Sequence, residues 1–199
     1  MRGDLRFITI GFLAAALSLP VFGCQQSHQN VQAARESTNT VDRGNNAAVL
    51  NDADKNFLKR AEEENIKEEN LGRAVVRKTK NSDIKDYAQM LVDDHTKALK
   101  ELVDLMNQKG MRQPRSLPKL QHEALSKLNR LSGPEFDREF INQMIEDHQN
   151  AVAEFRQEAN VAQDKDIRNH ASRMLPVLEK HLQRAPELQG RLSSGTNPR

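Results

Sequence analysis

Two Asp-His pairs stand in matching surroundings in the sequence, at Asp94-His95 and Asp147-His148. The segments around them, LVDDHTKA from residue 91 and MIEDHQNA from residue 144, agree in size and polarity at an offset of 53 residues (144 minus 91). A match in register of this kind indicates an internal duplication. Because neutral imidazole is a ligand for transition metals, the repeated histidines are the first candidates for chemistry.

Helical periodicity places both histidines on apolar stripes. Each has an apolar residue four positions before it and another four positions after it, namely Leu91 and Leu99 for His95 and Met144 and Val152 for His148. Residues four apart share one face of an α-helix, so both imidazoles are predicted to point into a helical bundle. Asp94 and Asp147 point about 100° away and are therefore predicted to lie in the second shell of any metal site.

Two further polar residues fall on or near the predicted stripes, Glu68 on the first helix and His181 on the last. One carboxylate and three imidazoles from four helices would suit a transition metal such as Fe, Zn, Mn or Cu. Two alternatives stay open. The buried side chains would instead hydrogen-bond to one another as a polar layer that fixes helix register, and His181 would lie at the rim of the bundle.

The sequence favours a protein that is not an enzyme, and we name no catalytic residue. Di-iron ferritins use paired Glu-x-x-His motifs, which this sequence lacks, so ferroxidase chemistry is not predicted. The acidic run EEENIKEEN, residues 62–70, is interpreted as a solvated helix face with Lys59 and Lys67 as partners. No metal is predicted from this run.

Five amphipathic helices are predicted to position the candidate ligands. Their expected boundaries are Asp52 or Asp54 to Thr79, Ser82 to Gly110, a shorter helix from Pro118 to about Leu131, a long helix after Ser132-Gly133-Pro134, and a last helix from Asp164 to Gly190. Four long amphipathic helices with short links predict an all-α, up-down four-helix bundle with a short extra crossover helix.

The N-terminal residues predict export. Residues 1–24 combine Arg2 and Arg6 with a short apolar run, which is typical of a signal peptide. The run ends in LPVFGC, which resembles a bacterial lipobox and makes Cys24 the expected lipidation site. Gln25 after the cysteine, by resemblance to Gram-negative sorting, favours the outer membrane.

The rest of the chain divides by composition. Residues 25–51 are predicted to be a flexible polar tether, 52–189 the helical bundle and 190–199 a disordered tail. The net charge of +2, with both signs interspersed, argues against a nucleic-acid partner. A single cysteine excludes a disulfide within the chain.

Several motifs together resemble the bacterial envelope family known as domain of unknown function 4142. They are EENLG at residues 68–72, YAQMLVDDH at 87–95, GPEFD at 133–137, MIEDH at 144–148 and LPVLEKHL at 175–182. The resemblance implies a ferritin-like bundle in an outer-membrane or exported protein whose biochemical role is not established. Asn70 departs from the family, which commonly has a second acidic residue there.

These observations predict a lipid-anchored envelope protein that acts as an interaction or stress-related module. Its expected partners are the membrane, through the lipid, and an envelope protein of unknown identity. The expected location is the periplasmic side of the outer membrane, or the periplasm or exterior if Cys24 is not acylated. The alternative function is metal binding through Glu68, His95, His148 and His181.

Overall fold

The structure, a computed structural model, describes residues 50–111 and 119–195. These residues form α1 (Asp52–Lys78), α2 (Ser82–Gln108), α3 (Lys119–Asn129), α4 (Gly133–Val161) and α5 (Lys165–Ser194). The predicted all-α fold is confirmed. The predicted signal peptide, Cys24 and almost all of the tether lie outside the described residues, as do residues 196–199. Within the described part, no helix has the length and hydropathy needed to cross a membrane.

Side-chain caps fix where the helices begin. The Asn51 carboxamide oxygen accepts from the backbone N–H of Asp54 at 2.9 Å, and the Asn81 oxygen accepts from the first turn of α2. Both caps differ from the predicted Asp52 or Asp54 and Ser82, because asparagine also satisfies the free N–H groups of a first turn. Asp164 caps α5 as predicted.

The last helix runs further than the sequence predicts. α5 passes through Gly190 and ends at Ser194, before Gly195 with φ of 67°. Its apolar stripe also continues, since Leu192 packs against the core. A glycine weakens a helix interior by about 1 kcal/mol relative to alanine, and packing of the next turn can outweigh that cost.

Two apolar clusters define the direction of the helices. The first joins the N-terminal halves of α1 and α5 to the C-terminal halves of α2 and α4, through Phe57, Ala171, Leu102 and Phe155 among others. The second joins the four opposite halves, through Val75, Leu188, Ile84 and Phe140 among others. Hence α1 runs parallel to α5, and α2 runs parallel to α4.

The parallel arrangement of α2 and α4 requires a long crossover. The segment from residue 109 to residue 132, which contains α3, must return along the length of the bundle. One long crossover of this kind is characteristic of ferritin-like bundles, as the resemblance implied. The closest packing is within two antiparallel hairpins, α1–α2 and α4–α5.

Gly72 brings the helices of the first hairpin together. A Cβ atom at this position would lie 2.8 Å from Val92 Cγ2 and 3.0 Å from the carbonyl oxygen of Ala88. The first distance is shorter than Cβ atoms tolerate and the second is unusually tight, so any side chain here would require Val92 to move and α2 to shift slightly. Glu68 lies one turn before Gly72, on the same inward face of α1. The close approach of α1 to α2 therefore also positions Glu68 in the candidate site.

Candidate metal centre

All four candidate ligands meet in the middle of the bundle, between the two apolar clusters. Glu68, His95, His148 and His181 come from α1, α2, α4 and α5 respectively, and no side chain among them is more than 5% exposed. We call these four residues the histidine layer. The alternative position of His181 at the bundle rim is wrong, because its side chain is fully buried.

The polar atoms of the layer lie at distances suited to a metal. Glu68 Oε2 is 3.2 Å from His95 Nε2 and 3.5 Å from His148 Nε2. His148 Nε2 is in turn 3.0 Å from Nδ1 of His181, and one nitrogen from each imidazole lies within 4.8 Å of the others. Ligand atoms around a tetrahedral zinc ion, with metal bonds of about 2.0 to 2.1 Å, are about 3.4 Å apart.

A buried asparagine fixes the ring of His95. The Asn65 Nδ2 group donates to the carbonyl oxygen of Ala61 at 2.7 Å, which turns Oδ1 toward His95. This oxygen lies 3.0 Å from His95 Nδ1 and can only accept, so Nδ1 carries the hydrogen. In the neutral ring, Nε2 then presents a lone pair to Glu68.

Hydrogen bonds from their outer nitrogens fix the rings of His148 and His181 in the same way. His148 Nδ1 donates to the carbonyl oxygen of Met144 at 2.9 Å, one turn earlier on α4. The Nε2 atom of His181 lies 2.9 Å from Oδ2 of Asp94, a carboxylate acceptor. The outer nitrogen of each ring therefore donates, and the inner nitrogens, Nε2 of His148 and Nδ1 of His181, carry lone pairs when the rings are neutral.

The centre of the layer is consequently crowded with acceptors. The lone pairs of His148 and His181 face each other at 3.0 Å, where they repel unless a proton or a metal ion lies between them. Glu68 Oε2 and His95 Nε2 are buried without a hydrogen-bond partner in the described part of the chain. Buried acceptors without partners cost free energy, so this arrangement favours a cation at the centre.

Charge leads to the same conclusion. Burial lowers the pKa of His148, and burial together with the nearby His148 and His95 rings lowers the pKa of His181 to about 4. Burial by itself would raise the pKa of Glu68, but the facing imidazoles of His148 and His95 hold it at about 2. An ionised, buried Glu68 therefore needs a positive charge beside it, whereas burial disfavours that charge on His148 and His181.

The two predicted second-shell aspartates have different contacts. Asp94 binds His181 directly, as described above. Asp147 Oδ1 instead lies 3.1 Å from Lys67 Nζ, and the same ammonium contacts Glu64. Within the described residues, Asp147 makes no hydrogen bond to an imidazole. Glu64, Glu68 and Asp147 also form an acidic group, but Lys67 already supplies its cation.

The acidic run at residues 62–70 is not the solvated face that the sequence predicts. Glu62, Asn65 and Glu68 from this run are all buried. The role of Asn65 was missed, although it lies four residues after Ala61 and three before Glu68, on the same helical face. Because most residues of this run are polar, the Asn65 amide did not stand out in the sequence as a candidate functional group.

Comparisons with known proteins place the chain in a family but assign no activity. No curated protein matches the sequence. A crystal structure of a DUF305 fragment from Deinococcus radiodurans is similar in fold, with a TM-score of 0.63 and 12% identity over 71% of this chain and 98% of that one. The model of the domain of unknown function DUF4142 matches residues 39–188, and the protein therefore belongs to that family.

Proposed function

We propose that the protein binds one transition-metal ion through Glu68, His95, His148 and His181. The observation that carries this proposal is the set of hydrogen bonds around the three imidazoles. They turn the inner lone pairs of His95 and His148 toward Glu68 Oε2 and that of His181 toward His148 Nε2. A structural polar layer would pair donors with acceptors, whereas this layer brings acceptors together. A metal ion among the three imidazole nitrogens, which lie within 4.8 Å of one another, would satisfy these acceptors, with Glu68 beside two of them as the fourth ligand.

The donor set narrows the class of metal. Three imidazole nitrogens and one carboxylate oxygen suit Zn(II), Cu(II), Fe(II) or Mn(II), and the ligand set contains no thiolate that would favour Cu(I). The hydrogen bonds from the outer nitrogens resemble those around histidine ligands generally, where a carboxylate or carbonyl acceptor fixes the ring. No reaction is proposed at this centre.

The surface gives less support to an interaction module. Val161 is the one exposed large hydrophobic residue among the side chains that the structure describes, at residues 50–111 and 122–195. Docking surfaces for proteins usually include a contiguous apolar patch, and a single valine does not form one. We therefore rank metal binding above the interaction or stress-related role that the sequence first favoured.

The proposed setting is the bacterial envelope. The signal-like residues 1–24 and the lipobox ending at Cys24 support export and lipid anchoring, with the bundle on the periplasmic side of the outer membrane. Mass spectrometry of the membrane-bound protein tests this directly. We expect an acylated N-terminal Cys24, and a Cys24→Ser variant that no longer sediments with membranes. An unmodified, soluble wild-type protein would contradict the lipid anchor.

The metal proposal is tested by elemental analysis of the chain from Gln25 onward, purified without an affinity tag or chelator. We expect about one equivalent of a single transition metal, lost in the double variant His95→Gln, His148→Gln. His170→Gln is the matched control, because His170 is also buried but lies outside the histidine layer. This control should keep its metal.

Absence of metal from the wild-type protein would contradict the proposal, provided that the protein stays metal-free after incubation with Zn(II), Cu(II), Fe(II) and Mn(II). A lower melting temperature of the double variant in that case would identify the histidine layer as a structural polar layer.

A further inference from the structure

Asp94 connects the histidine layer to the protein surface. Its carboxylate binds the fully buried ring of His181, yet the Asp94 side chain is 34% exposed. Asp147, the equivalent residue of the second Asp-His pair, is only 11% exposed. A cation arriving from solvent therefore reaches Asp94 more easily than any of the four ligands.

A surface groove lies beside Asp94, between α2 and α5. It has a volume of about 400 Å³ and includes Tyr87, Met90 and Lys180 in its lining. The Tyr87 hydroxyl donates to the carbonyl oxygen of His181 at 3.2 Å. Asp94 does not line the groove itself, but the lining residue Lys180 places its Nζ 4.0 Å from Asp94 Oδ2, so the groove ends next to the aspartate.

One oxygen of Asp94 is available to a cation. Oδ2 accepts from His181, while Oδ1 makes no hydrogen bond within the described residues. The groove lining has three carboxylates, of Asp83, Asp86 and Glu187, and two cations, of Lys180 and Arg184, so the carboxylates are in excess by one charge (three minus two). Carboxylates along a groove raise the local concentration of cations and their rate of association.

The opposite side of the layer already holds a cation. Between α1 and α4, the Lys67 ammonium contacts Glu64 and Asp147 and is itself only 11% exposed. It occupies the space between the two carboxylates, so a metal ion entering there would be repelled by its charge and would have to displace it.

We propose that a divalent cation reaches the histidine layer through the seam between α2 and α5, and that Asp94 is the carboxylate that binds it first. The inference rests on the proposed function. Asp94 captures the ion through Oδ1 and holds the ring of His181 through Oδ2. It thus serves as a positioning residue and as the outer end of the route.

Stopped-flow measurement of Co(II) binding tests the route, since tetrahedral Co(II) absorbs visible light when bound by nitrogen and oxygen ligands. Asp94→Asn removes the charge but keeps an oxygen that can accept from His181. We expect an association rate constant about tenfold lower than in the wild type, with a weaker dependence on ionic strength. The matched variant Asp147→Asn should associate at the wild-type rate.

Lys180→Met gives a second, independent readout. Lys180 is exposed and touches none of the four ligands, so its removal leaves the layer intact. Without its positive charge beside Asp94, we expect Co(II) to associate several-fold faster.

The outcomes separate the route from the site. Equal association rates in Asp94→Asn and Asp147→Asn, or an effect of Asp94→Asn on dissociation alone, would overturn the route while leaving metal binding in place. A slower rate in Asp147→Asn alone would assign the route to the seam between α1 and α4. No uptake of Co(II) by the wild type would overturn the route and the proposed function together.

Discussion

The two Asp-His pairs share one sequence frame but differ in what surrounds them. Asp94 contacts the buried imidazole of His181, whereas Asp147 contacts the ammonium of Lys67. His95 is held by the side chain of Asn65 from another helix, and His148 by a backbone carbonyl of its own helix. A duplicated motif thus specifies where two histidines point, while the neighbouring helices decide how each is held.

The two halves of the bundle are nearly equivalent, with α1 corresponding to α5 and α2 to α4, and their lysine–aspartate contacts correspond in the same way. The Lys67–Asp147 pair then corresponds to Lys180–Asp94. Glu68 and His181, which follow the two lysines in the sequence, take equivalent positions in the layer. The comparison shows that a nearly symmetric arrangement of helices carries an asymmetric ligand set, with three imidazoles and one carboxylate.

The largest difference between the two halves is expected when each of these lysines is replaced by methionine and the free energy of unfolding is compared. Lys67→Met leaves Asp147 and Glu64 without their shielded cation, and we expect a loss of about 3 kcal/mol in the free energy of unfolding. Lys180 is 63% exposed, so Lys180→Met should cost less than about 0.5 kcal/mol. Urea unfolding of the metal-free variants measures both values. Equal losses would remove this difference between the two sides of the layer.

Gly72 and its equivalent position test the packing of the two hairpins. Residue 185, four after His181 as residue 72 is four after Glu68, is a buried alanine, so α5 already accommodates a Cβ atom there. Gly72→Ala should destabilise the bundle by about 2 kcal/mol through contact with Val92 and Ala88.

Gly190→Ala is the control for this substitution. Its added Cβ meets no atom within 4 Å, and we expect a gain of about 0.5 to 1 kcal/mol because alanine favours the helix. Thermal unfolding compares the two variants, and a stabilised Gly72→Ala protein would contradict close packing of α1 on α2.

Asn65 tests the different anchoring of the two repeated histidines. Asn65→Ala frees the ring of His95, and we expect metal affinity to fall about tenfold, or ~1.4 kcal/mol. Met144→Leu is the control, because the acceptor for His148 is a main-chain oxygen that the substitution keeps. Titration against a competing chelator measures both affinities. An equal loss in the two variants would mean that general packing, not the anchor, determines affinity.

The last comparison concerns Tyr87, which corresponds to Phe140 at the same offset of 53 residues (140 minus 87). Tyr87→Phe makes the two repeats more alike and removes the hydrogen bond to the carbonyl oxygen of His181. We expect a loss of about 1 kcal/mol, seen as a lower melting temperature. An unchanged melting temperature would show that this hydrogen bond contributes nothing beyond the apolar contact.

The fold and the four inward side chains could be predicted because both follow from helical periodicity. Glu68, His95 and His148 lie on stripes that the apolar residues define, and four long helices bury such stripes by packing as a bundle. His181 required more, since its depth depends on how α5 packs against α2. The helix boundaries were predicted less accurately, because Asn51 and Asn81 are as suitable for capping as the neighbouring Asp52, Asp54 and Ser82.

The partners of the histidines could not be predicted from spacing. Asp94 and Asp147 have the same place in the repeat, and only the rotation of α5 and α1 determines that one meets an imidazole and the other an ammonium. The carbonyl of Met144 leaves no trace in the sequence at all. Asn65 was visible in the helical pattern, but its function depends on the amide orientation that Ala61 imposes.

The parallel course of α2 and α4 has a consequence for the order of folding. Each hairpin, α1–α2 or α4–α5, closes through a short link and can form early, because local contacts require little loss of chain entropy. The long return through α3 makes docking of the two hairpins the slower step. Since each hairpin supplies two of the four ligands, a bound ion would lock the interface that forms last.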